Sequence, residues 1–183
     1  MSLDPKKEEL LIRQAEQGSK QAFAALYEMY LAEVFRYMYY RLLDHMEAED
    51  LTERVFIKAW ESITRPVKKQ QHLQNFRAWI YRIARNTLID HLRRVKNVVP
   101  IEDFEQFDNN LVGLQEQTEI NEQTLRLLKS ISLLDDTSRE VLILRFVNQL
   151  SHADAAAILG ISENHVRVLQ YRALKKMKVL LDA

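Results

Sequence analysis

From Phe23 onward, apolar side chains recur at Phe23, Leu26, Tyr27, Tyr30, Leu31, Val34, Phe35, Met38 and Leu42. The steps are of three and four residues, which puts them on one stripe of an amphipathic helix. Ahead of it, Asp4 and Pro5 suit a helix start and Gly18 a helix end. A third helix is predicted from Asp44, where Asp44 and Glu47 stand at capping-box spacing. Its inward positions are Ala48, Leu51, Val55, Ala59 and Ile63; Glu49, Asp50, Glu53, Arg54, Lys58 and Glu61 face out. A polar stretch from about Thr64 to Asn75 follows, long for a helix–helix connection and so a candidate for function. The fourth helix spans about 76–94 and buries Phe76, Trp79, Ile80, Ile83, Ala84, Thr87 and Leu88.

Farther on, the predicted helices shorten. One covers about 121–134, and the next starts at Thr137, with its hydroxyl as cap and Glu140 reaching back. Ser151 and Asp154 repeat that arrangement for a helix ending at Gly160, and Ser162 caps a last helix to about Leu181. The inward set of this last helix is Val166, Leu169, Ala173, Leu174, Met177, Leu180 and Leu181. No stretch alternates with period two between turn signals, so the fold class is all-α, in two helical domains.

Charge divides the same chain into three blocks. The formal net charge is zero, yet residues 1–96 carry 17 basic and 13 acidic side chains. Residues 97–123 carry 7 acidic and no basic ones, and residues 124–183 carry 9 basic and 6 acidic. Two basic modules joined by an acidic linker follow from that distribution. The 3 glycines are too dispersed for a phosphate-binding loop, and the absence of cysteine removes disulfides, thiol nucleophiles and cysteine-based metal sites. The five histidines are scattered and form no HExxH pattern, which leaves an enzyme without visible chemistry and no metal or cofactor expected. No apolar run reaches the roughly 20 residues of a membrane span. The first residues lack the apolar stretch of a signal peptide, so a cytoplasmic protein is expected.

Ala156, Gly160 and Val166 have the residue types and order of a helix-turn-helix. A small residue permits close helix approach, Gly takes the left-handed turn, and a branched residue anchors the second helix. That second helix carries Asn164, Arg167, Val168, Tyr171, Arg172, Lys175 and Lys178 outward, a set able to meet bases and phosphates in a major groove. The alternative is a packing unit with a solvated basic face. On the fourth helix Arg82, Arg85, Asn86, Ile89 and Arg93 share a face beside Arg94, with Tyr81 and Lys68–Lys69 near in sequence. Such an aromatic-plus-basic surface suits nucleic acid, and a solvated arginine-rich helix is the competing reading. Twelve of the 16 aromatic residues lie between Phe23 and Tyr81, which reads as an aromatic core.

The segments AFAALYEMY, AEDLTERVFIKAW and FRAWIYRIARNTLIDHLRR resemble region two of bacterial sigma factors. LSHADAAAILGISENHVRVLQYRALKKM is similar to region four of the extracytoplasmic-function (ECF) type, which keeps only regions two and four. The resemblance implies a region-two domain over 1–96, a linker over 97–123 and a region-four domain over 124–183. It implies that Asp50, Glu53 and Arg54 dock on the clamp helices of the largest subunit of core RNA polymerase. The family usually has Gln then Glu where this chain has Glu53 then Arg54, and the structural alternative is an Asp50–Arg54 pair within the helix. Arg82, Arg85, Asn86, Arg93 and Arg94 fall in the part that recognises and melts the minus-ten element, Asn86 helping to hold an extruded base. Trp79 matches an aromatic of the melting segment, but its apolar side places it in the core. Arg167, Val168, Tyr171, Arg172 and Lys175 fall on the helix that meets the minus-thirty-five element. There the family often has Ser then a basic residue where this chain has Val168 then Leu169, and Leu where it has Gln170. Promoter DNA, core polymerase and an anti-sigma factor are the partners so implied. The function implied is an alternative sigma factor; a stand-alone helix-turn-helix regulator with a ligand-sensing or dimerising bundle is the alternative.

Overall fold

The computed structural model describes residues 5–65, 73, 75–98 and 122–182. Four helices form the N-terminal half: α1 (Pro5–Glu16), α2 (Lys20–Leu42), α3 (His45–Ile63) and α4 (Phe76–Val98). Four more follow, α5 (Glu122–Ser132), α6 (Asp136–Leu142), α7 (His152–Leu159) and α8 (Glu163–Asp182), with a π-helical turn at Ile143–Val147 that extends α6. Among the described residues there is no strand, as the periodicity predicts. Most of the polar stretch 64–75 and the linker residues 99–121 lie outside the described residues, and with them Lys68 and Lys69.

Helix ends follow local chemistry. Gly18 closes α1 at φ 89°, and Ser19 opens α2 by accepting from the Ala22 N–H at 3.2 Å. Asp44 caps α3 as predicted, accepting from the Glu47 N–H at 2.9 Å. The α6 cap differs from the expectation. It is Asp135, not Thr137, whose carboxylate accepts from the Ser138 N–H at 2.9 Å. A carboxylate also gains from the positive end of the helix, which a threonine hydroxyl does not. Desolvation pushes the Asp135 carboxyl up, but the Ser138 hydrogen bonds outweigh it and hold the group below its ordinary value. Glu140, expected to reach back to that cap, points elsewhere.

The inward positions predicted for α3 are all buried, and the aromatic residues of α2 and α4 fill the space between them. Tyr37, Tyr81 and Phe76 are fully buried, and the Tyr37 and Tyr81 rings meet edge-on at 5.7 Å. Each such ring stabilises the fold by about 1.5–3 kcal/mol through burial alone. Trp79, half-buried, packs on Phe76 at 5.3 Å at the edge of the core. Tyr81 corrects the expectation that it joins a nucleic-acid surface. It lies one step off that face, and its phenol pKa is pushed up by burial.

The C-terminal helices pack against this bundle. Val141, Ile143, Leu144, Leu150, Ala155, Ile158 and Val166 continue the same core, α7 lying on α4 and the π turn on α2. A second, smaller cluster of Leu134, Leu142, Ala173 and Met177 holds α8 to α6.

Candidate nucleic-acid interface

The helix-turn-helix is built as its residue types require. Ser151 caps α7, accepting from the Asp154 N–H at 3.0 Å, and Gly160 ends it at φ 70°. Ser162 then accepts from the His165 N–H at the start of α8. Ala156 and Val166 are buried at the crossing of the two helices. With its inner side so anchored, α8 presents Asn164, Arg167, Val168, Tyr171, Arg172, Lys175 and Lys178 to solvent, all exposed. Tyr171 is 68% exposed and Val168 44%, values that suit a reading surface and not a core. Arg167 forms an ion pair with Glu163 one turn before it, a contact worth only a few tenths of a kcal/mol and readily exchanged. Leu174 and Leu181, predicted inward, are exposed instead, because α6 covers a narrower stripe of α8 than the period alone implies.

The helical period of α8 does not reveal the partners of Gln170. The Gln170 side-chain oxygen accepts from Arg145 Nε at 3.1 Å and lies 3.0 Å from His152 Nε2. Arginine only donates, so the amide oxygen is the atom that faces it, and the His152 ring nitrogen is then a donor as well. Gln170 thereby ties α8 to the first residue of α7 and to the π turn, which sets the pitch of the outward face. The departure from Leu at this position was the signal available in the sequence. Arg145 could not be found that way, since its placement depends on the wide turn.

On α4, Arg82, Asn86, Arg93 and Arg94 are exposed. Arg85 is not. Its side chain is 31% exposed and pairs with Glu140 at 3.0 Å. The predicted basic face is thus assembled, with one member turned toward the C-terminal module. On α3, Asp50, Glu53 and Arg54 are all exposed, and no ion pair joins Asp50 to Arg54. Met46, 77% exposed, and Ile57, 51% exposed, stand at steps of four and seven along that face. They give it apolar ends that the charged pattern concealed. Among the described residues no cluster of His, Asp or Glu is placed to hold a metal ion. None of their helices is long and apolar enough to cross a membrane.

Residues 26–98 match the family described as sigma-70 region 2, and residues 124–177 match sigma-70 region 4. The chain belongs to the sigma-70 family. Its relatives include the ECF RNA polymerase sigma factor BldN of Streptomyces coelicolor, 32% identical over 93% of this chain and 64% of BldN. The ECF sigma factor SigM of Bacillus subtilis is 31% identical over 86% of this chain and 93% of SigM. These place the chain in the ECF branch of the sigma factors. The fold is similar to that of CnrH solved in complex with the cytosolic domain of CnrY, with a TM-score of 0.71. That likeness has 24% sequence identity and covers 96% of this chain and 97% of CnrH.

Proposed function

We propose that this sigma factor docks on core RNA polymerase through the α3 face of Asp50, Glu53 and Arg54 and directs initiation at two-part promoters. The observation that carries the reading is the presence, on one chain, of two sigma-type modules with separate exposed basic helix faces. Region two spans 1–96, residues 97–123 connect, and region four spans 124–183. On α8, Arg167 and Arg172 pair with base edges of the minus-thirty-five element, Val168 and Tyr171 supply apolar contact, and Lys175 meets phosphate. On α4, Arg82, Arg85, Arg93 and Arg94 hold the backbone at the minus-ten element, and Asn86 contacts a base drawn out of the stack. Extrusion costs a few kcal/mol of stacking, so a polar partner at that position matters. Nucleotide addition belongs to the polymerase. An anti-sigma factor covering these surfaces would restrain the protein, a reading supported by CnrH having been solved with CnrY.

The test is transcription in vitro with core polymerase and a genomic promoter library. Defined start sites are expected with the sigma factor present and none without it. Asn86→Ala should still bind polymerase but lose reactivity of unpaired thymines toward permanganate. Normal promoter opening by that variant would remove the assigned role of Asn86.

A further inference from the structure

The rotation of α8 about its own axis decides which side chains can meet base edges, and apolar packing alone holds that rotation loosely. The buried residues Val166, Ala173 and Met177 stand at steps of seven and four, which form a single line along the helix. Ala173 is small, and Met177 is an unbranched side chain that adapts to its surroundings. Half-buried Leu169 flanks the line on one side, packed against the common core. Gln170, also half-buried, lies on the other flank. Its side-chain oxygen receives Arg145 Nε from the π turn at 3.1 Å and His152 Nε2 from the start of α7 at 3.0 Å. Two donors from two elements converge on one atom, so this flank is fixed in direction as an apolar contact is not. Arg167 stands three residues earlier, about 60° around the helix, and Tyr171 is the next residue. A turn of about 10° at a side-chain radius of about 5–6 Å moves the tips by about 1 Å, enough to break a hydrogen bond to a base.

We infer that Gln170 is a positioning residue that sets base preference at the minus-thirty-five element, holding the rotation of α8 through Arg145 and His152 without itself touching DNA. This role rests on the region-four reading, under which α8 enters the major groove. A glutamine that reads adenine uses its oxygen and its nitrogen together. Here the oxygen is committed to Arg145 and His152, so that two-point contact with a base is closed to it. The leucine usual in the family at this position offers no acceptor, and both N–H groups would lose the partner they have here. Leu169, where the family has a basic residue, is turned inward as well. The two departures side by side on α8 therefore act on how the helix is seated, and Arg167, Val168, Tyr171 and Arg172 are left to do the reading.

The test uses the full-length chain and a pool of randomised duplexes, from which the parental chain selects its preferred sequence. Fluorescence anisotropy then compares that duplex with its single-base-pair variants and with a duplex of mixed sequence. Gln170→Leu should lower the preference for the selected duplex over its variants by about tenfold, the scale of one base contact. Its binding to the mixed duplex should stay within about twofold of the parental value, because phosphate contacts carry no sequence information. Gln170→Glu keeps an acceptor for both donors and should retain the parental preference. Arg145→Met should reproduce Gln170→Leu, and the two together should lose no more than either alone. Arg145→Met also carries the test should Gln170→Leu not fold. Unchanged preference in a folded Gln170→Leu chain overturns the assignment, and so does equal weakening on every duplex, which a merely structural role would give. A loss confined to one base pair, with Arg145→Met harmless, makes Gln170 a base reader and overturns its positioning role. A parental chain that selects no sequence overturns the region-four reading and this role with it, and that outcome is seen before any variant is measured.

Discussion

The basic faces of α4 and α8 differ in how much of their surface is available. On α8 every predicted contact residue faces solvent, and the one ion pair among them is a short-range exchange with Glu163. On α4 the central Arg85 is engaged across the molecule by Glu140. The difference arises from the packing partners: α8 packs on α6 and α7 of its own module and reaches the common core through Val166, whereas α4 is covered by α7 and faces that core along its length. Availability of a basic face is therefore set by what its neighbouring helices need to bury, not by its arginine count. In the isolated protein the C-terminal face should meet DNA first.

That contrast can be broken most severely at the common core. Leu144→Ala removes a fully buried side chain where the π turn meets the N-terminal bundle. A loss of about 2–5 kcal/mol is expected in urea unfolding. The parental chain should unfold in one transition, because each half completes the core of the other. Two well-separated parental transitions would show that the halves do not share their stability.

A smaller effect sharpens the difference between the faces. In the free protein, Arg172→Ala should weaken binding to a minus-thirty-five duplex by about 1–3 kcal/mol where a base contact is lost. Arg85→Ala should leave that binding within a few tenths of a kcal/mol, since Arg85 is already committed inside the chain. Fluorescence anisotropy at fixed salt measures both. Equal losses would mean that the two faces act together even before polymerase is present.

The smallest expected change isolates the C-terminal module. Asp135→Ala removes the α6 cap and should cost about 1 kcal/mol at neutral pH. The Asp135 pKa is lowered on folding, so its contribution is present above the ordinary value of 3.8 and fades as the pH falls through the lower folded value. The gap between Asp135→Ala and the parental protein should accordingly narrow in urea unfolding at about pH 3, compared with pH 7. A gap that widens on acidification would assign the cap to another group.

Much of this architecture was legible from local signals. Asp44, Ser151, Gly160 and Ser162 act as predicted because caps and left-handed turns depend on a few neighbouring residues. Outward residues on α8 were also legible, since a period of 3.6 separates one side of a helix from the other. What escaped depends on distant partners. Thr137 and Asp135 compete for the same cap, and only geometry decides between them. Tyr81 belongs to the core because Tyr37 and Asn148 approach it from other helices. Glu140 resembles any capping-box acid until its partners, 103 and 55 positions away, are known.

The π turn at Ile143–Val147 imposes a constraint on chain length. The Asn148 N–H bonds to the Ile143 carbonyl and the Leu150 N–H to the Leu144 carbonyl, both at 3.0 Å, so the segment winds more widely than an α-helix. Deleting one residue there would restore ordinary winding and remove the Asn148–Ile143 and Leu150–Leu144 pairings that close the wide turn. Arg145 would lose Gln170 on one side and Asn148 would lose Tyr81 on the other. Substitutions can be absorbed in this turn, but a gain or loss of a single residue would disturb the seats of α8 and α4 together.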